Sequence, residues 1–122
     1  MVNVFKNLYC LVSSPQLNET AISDMKDEMA LVKVRAEALI KESQKYEASF
    51  TPDGYRLVSD IKYLSNHIMQ MIDRGKAYLH ESNFHAAKEI IADAEKQKLR
   101  LIDKCDRVTA ILRQMNRQSI AG

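Results

Sequence analysis

The chain reads as an all-α protein, an elongated antiparallel three-helix bundle with a short extra N-terminal helix. Three observations predict this. Apolar residues recur at alternating steps of three and four along three separate segments, which places each set on one face of a helix and repeats as in a coiled coil. Only 3 Gly and 2 Pro occur in 122 residues, so there is little material for turns. Leu, Ile, Met, Ala, Lys and Glu are abundant, and all but Ile rank among the better helix formers.

The spacing predicts the short helix over residues 3–12, with Val4, Phe5, Leu8 and Val12 on one side. Ser13-Ser14-Pro15 follows. Two starts are open for the first long helix: Ser14 as cap with Pro15 at the first helical position, or Asn18 as cap. Glu19, Asp24 and Asp27 put negative charge near that end, where the helix dipole favours it. The expected span is 15–50, with Ile22, Met25, Met29, Val32, Ala36 and Leu39 on its stripe and Tyr46 and Phe50 closing it.

Thr51-Pro52-Asp53-Gly54 is a break and a start. Thr51 is a good N-cap, Pro52 suits the first turn, and Asp53 complements the dipole. A second helix over 52–79 carries Ile61, Leu64, Ile68 and Met71 on its stripe. Gly75 inside it costs about 1 kcal/mol relative to Ala, so it is expected to mark a close helix crossing. The turn is His80-Glu81-Ser82-Asn83, with Ser82 or Asn83 as the next cap. The third helix, 83–118, carries Ala87, Ile91, Ala94, Leu101, Cys105, Val108 and Leu112. Short connections make sequential neighbours antiparallel.

Ser43 and Lys98 interrupt the stripes with polar groups. Lys98 is expected to snorkel to the core edge or to set register. Cys105 lies on a stripe and reads as a small core residue. Leu31, Val34, Ala38, Ile40, Val58, Met69, Ile72, Ile90, Leu99, Ile102 and Ile111 widen the apolar faces. A three-helix core needs much of that width. The remainder is available as a second contact surface, for self-association or for a partner.

The stretch Met71–Leu99 resembles one tetratricopeptide repeat. Gly75, Tyr78, Ala87 and Ala94 fall on the family's Gly, Tyr and Ala positions, Ile91 on its Phe, and Phe84 on an aromatic position. Met71, Arg74 and Leu99 depart from its Trp, Leu and Pro. No second copy lies about 34 residues away. The resemblance implies a tight antiparallel hairpin in which small residues let the helices approach and aromatics fill the gaps. Arg74 followed by His80 is similar to the Arg–His spacing of the HEPN nuclease family. That resemblance implies an RNA-cleaving pair, although in that family the pair lies on a later helix than the opening hairpin.

The charge balance of +2, from 18 basic and 16 acidic residues, does not demand a polyanionic partner. The distribution is uneven, since residues 96–122 hold 7 bases and 2 acids, net +5. Lys96, Arg100, Lys104 and Arg107 form one stripe there. It reads first as dipole and solubility chemistry, and second as a phosphate-tracking surface. His80, His85 and Glu89 are the one suggestive polar cluster, and they read as solvated turn residues rather than a zinc site. The chain contains no Ser/His/Asp constellation, phosphate-binding Gly loop or zinc-finger spacing. Two cysteines make no disulfide framework, and no run approaches the ~20 apolar residues of a membrane span.

The expected function is therefore non-catalytic. The chain, residues 1–122 as one domain, reads as a cytoplasmic protein–protein interaction module: an adaptor, a secretion-type chaperone or a regulatory subunit. It needs no cofactor or metal and no membrane, and self-association is expected. Phe5, Leu8 and Val12 are the candidate partner contacts. The alternative is a nucleic-acid-binding regulator using Lys96, Arg100, Lys104 and Arg107. A HEPN-like ribonuclease is the minor alternative.

Overall fold

A computed structural model describes residues 17–121, so the expected helix at 3–12, with Phe5, Leu8 and Val12, lies outside the described residues. Three helices run through the described chain: α1 (Glu19–Gln44), α2 (Pro52–His80) and α3 (Phe84–Ala121), with a 3₁₀ turn at Glu47–Ser49. At 1.5 Å per residue they are rods of roughly 39, 44 and 57 Å. All three pack on one another, and α2 and α3 share the broadest contact. The architecture is an all-α three-helix bundle.

The core is the set that the heptads anticipate. Ile22, Met29 and Ala36 of α1, Ile61 and Ile68 of α2, and Ala94, Leu101, Cys105 and Val108 of α3 are all buried, and Ile72, which the sequence places on a flanking face, is buried with them. Burying each large aliphatic side chain contributes about 1.5–3 kcal/mol, so this seam holds the three helices together. The polar interruptions are satisfied. Ser43 Oγ donates to the Leu39 carbonyl at 2.7 Å, and Ser65 Oγ donates to that of Ile61 at 2.8 Å.

The first long helix is shorter than the expected 15–50. It starts after Asn18, whose Oδ1 accepts from the Ala21 N–H at 2.8 Å. It ends at Gln44, and the chain tightens into the 3₁₀ turn. The reason lies downstream. Thr51 precedes Pro52 and is held extended, as the proline ring requires of its predecessor. Phe50, also extended, swings its buried ring onto the start of α2. A Cβ at Gly54 would lie 2.9 Å from Phe50 Cδ2, so only glycine fits beneath the ring. Tyr55 stacks at a tilt on Phe50, 6.0 Å between centroids, and its hydroxyl donates to the Glu47 carbonyl. Tyr46 and Phe50 thus close the bundle from a connection, not from a helix.

Thr51 caps α2 as the sequence suggests, with Oγ1 accepting from the Gly54 N–H at 3.1 Å. The α2–α3 turn is tighter than its residues suggest. Ser82 N–H donates to Leu79 at 3.0 Å and Asn83 N–H to Tyr78 at 2.8 Å, the paired bonds of a Schellman motif. That motif needs a left-handed residue, and Ser82 supplies it at φ 60°. Asn83 also caps α3, accepting at Oδ1 from the Ala86 N–H at 3.3 Å. α3 therefore begins at Phe84 and extends to Ala121, beyond the expected 118.

Beyond the turn, Gly75 is buried against α3, and a Cβ there would sit 2.5 Å from Ile91 Cδ1. Ala87 and Ala94 are buried beside it. The close crossing implied by the repeat resemblance is present. Phe84 takes no part in filling it: it is exposed, and Ile90 and Ile91 lie against the glycine.

Candidate interaction surface

The core positions of α1 recur at 22, 25, 29, 32, 36, 39 and 43. The same three–four spacing displaced by two residues runs through 24, 27, 31, 34, 38, 41 and 45. Two residues turn a helix by about 200°, so this second seam lies on the side of α1 facing away from the bundle. All its members are exposed. Leu31 is 74% and Val34 64% accessible, and Ala38 continues them one turn on. The apolar centre is bounded by Asp24 and Asp27 on one side and by Lys41 and Lys45 on the other.

The neighbouring residues on α1 are committed inward. Arg35 donates to Asp106 Oδ1 at 2.8 Å and to Thr109 Oγ1 at 3.2 Å. Glu28 accepts from Lys98 Nζ at 2.9 Å. Lys26 pairs with Asp73 of α2 at 2.9 Å, and Glu19 with His80 at 2.8 Å. Together they hold the outer seam in a defined orientation relative to α2 and α3.

Lys98 confirms the edge reading of its polar interruption. Its aliphatic stem is buried, and its ammonium reaches Glu28 and, at 3.1 Å, Glu95. Burial disfavours the charge, but the two carboxylates outweigh that effect and raise the ammonium above the ordinary 10.5. Cys105 is buried too. Desolvation pushes its thiol above the usual 9.0, with Arg35 opposing and Asp106 adding to the rise. The thiol stays protonated at neutral pH, and a thiol is a poor nucleophile.

The basic residues of α3 separate in their roles. Lys104 is tied to Asp60 of α2 at 3.1 Å, and Arg107 to Asp103 at 3.1 Å. Lys96 and Arg100 are exposed. An open groove between α2 and α3 brings Arg100, Lys104 and Arg107 together with Asp60, Asp103 and the exposed Tyr63. The Tyr63 ring stacks on His67, 5.2 Å between centroids at 16°. Two carboxylates among three bases leave this groove close to neutral.

The remaining candidates are scattered. His85 pairs with Glu89 at 2.9 Å on the solvent side, while His80 turns to Glu19. Among the described residues, no group of three His, Cys, Asp or Glu is placed to hold a metal ion. Arg74 and His80 are both exposed, and six residues of helix set them about 120° apart around the axis. No helix among the described residues is long and apolar enough to cross a membrane.

Sequence reasoning registered Leu31, Val34 and Ala38 as surplus apolar width but missed the ordered seam they belong to. Shifting the core register by two residues would have exposed it. Comparison with known protein families, curated proteins and solved structures finds no match to this chain.

Proposed function

We propose that the protein is a small non-catalytic interaction module that works through the outer face of α1. The observation that carries this reading is the exposed Leu31–Val34–Ala38 centre on a helix whose opposite face is already buried. A surface helix normally shows one apolar stripe, with charged residues opposite. α1 has two, and the second needs a covering surface to remove it from water. Adaptor, chaperone and regulatory-subunit roles all use such a face, in the cytoplasm, without a cofactor.

The test is capture of partners from native lysate with wild type and with Val34→Asp. The exposed site makes the variant neutral for stability, within about 0.5 kcal/mol, and a thermal melt checks that. Wild type should retain a stoichiometric partner that the variant loses. Identical captures from both would overturn the reading.

One observation favours a second reading. The exposed Tyr63 ring, which lines the groove with Arg100 and Arg107, suits a base and a phosphate. A nucleic-acid regulator on this groove predicts affinity falling steeply with salt and lost on reversing Arg100 and Arg107. Unchanged mobility of labelled RNA and single-stranded DNA at low salt would eliminate it.

A further inference from the structure

The outer seam of α1 has a polarity along its length. It is acidic at Asp24 and Asp27, apolar at Leu31, Val34 and Ala38, and basic at Lys41 and Lys45. Such an order is its own complement when reversed. We propose that this face pairs with the same face of a second copy of the chain, the two α1 helices lying antiparallel about a two-fold axis near Val34.

The proposal rests on the interaction-module reading and names its partner. In that register Val34 meets Val34 of the second copy and Leu31 meets Ala38. Asp27 lies beside Lys41 and Asp24 beside Lys45, once at each end. A two-fold interface must be self-complementary in this way. A parallel pairing would set acid against acid and base against base, which repel. Small side chains at the centre, Val34 and Ala38, let two helices approach closely.

Among the described residues the charges of the seam are little engaged. Asp24, Asp27 and Lys41 take part in no ion pair among the described residues, and Lys45 has only the exposed Glu42 at 3.2 Å. By contrast, Glu28 and Arg35, which flank the seam, are already held by α3.

Sedimentation equilibrium on the full chain tests this, with circular dichroism melts confirming that each variant folds. Wild type is expected to be a dimer whose association weakens with salt. Asp27→Lys should weaken it by about tenfold or more, since each copy contributes the altered contact. Asp27→Lys combined with Lys41→Asp should restore it, and Val34→Asp should give a monomer. A wild-type monomer at every concentration reached overturns the proposal. So does a dimer indifferent to Asp27→Lys and Val34→Asp. A monomer in which Val34→Cys forms a disulfide with Cys10 also overturns it, and makes the chain's own first residues the occupant. In each of these cases, Val34-dependent capture of a different protein would leave the interaction-module reading standing.

Discussion

At the scale of single residues, two backbone positions carry the tightest constraints. Gly75 gives up helix propensity worth about 1 kcal/mol, and it does so because Ile91 occupies the space of its missing Cβ. Gly75→Ala would recover the propensity but overpack the crossing, which costs about 1–3 kcal/mol. The expected net effect is a loss of about 1 kcal/mol, read as a lower denaturant midpoint with an unchanged slope. A higher midpoint would mean that Ile91 yields freely. Ser82 is the opposite case. It holds φ 60° with a side chain that gains nothing from it, at a position where glycine is usual. Ser82→Gly should raise stability by about 0.5–1 kcal/mol, since the left-handed conformation is strained for serine and open to glycine. Its thermal midpoint should rise by a few degrees. Nothing in the residue types of His80-Glu81-Ser82-Asn83 announces a Schellman turn, because the glycine that signals one is missing.

At the scale of helices, spacing was the legible quantity and termini were less so. The heptads located all three core faces, and Asn18, Thr51 and Asn83 each stand where a cap was expected. The end of α1 was not legible. Tyr46 and Phe50 keep the helical spacing, yet Pro52 constrains Thr51 and the Phe50 ring must land on Gly54, so the helix stops early. Chain reversal depends on a tertiary contact that periodicity does not encode. Phe84 shows the same limit: its place in the repeat resemblance suggested a filled gap, yet the ring is exposed and Ile90 and Ile91 lie against Gly75.

Lys98 links α1 to α3 and makes a prediction at this scale. Its pKa is raised in the folded protein. The stability it contributes is therefore fully present below the ordinary lysine value and lost as pH rises through the raised one. The informative quantity is the difference between wild type and Lys98→Met. Methionine keeps the buried stem and drops the charge. That difference should be constant from neutral pH to about 10 and should shift in favour of Lys98→Met above it. A flat difference through pH 12 would contradict the ion-pair account. At neutral pH the substitution should cost little, about 0–1 kcal/mol, because Glu28 and Glu95 are exposed and stay hydrated once the ammonium is gone.

At the scale of the whole molecule, the bundle accounts for two of the three properties that mattered. The core accounts for the inner seam, and ion pairs such as Lys26–Asp73, Arg35–Asp106 and Lys104–Asp60 hold the helices' relative rotation. Each such pair is partly exposed and contributes little, about 0–1 kcal/mol, so their role is orientation more than stability. Neither explains why α1 presents Leu31 and Val34 to water. The candidate surface was half legible for that reason. The apolar surplus is visible in the residues, but only the bundle shows which of it remains uncovered. The basic stripe shows the converse, since four bases in a row looked like one surface until Asp60 and Asp103 engaged two of them.

The proposed contact between copies runs antiparallel through the outer face of α1. Its most direct measurement is disulfide formation in an equimolar mixture of Asp27→Cys and Lys41→Cys chains, each in a Cys10→Ser background with Cys105 left buried. The account predicts fast formation of the mixed 27–41 dimer, with little 27–27 or 41–41 product. Equal amounts of all three products, or none faster than unfolded controls, would contradict it.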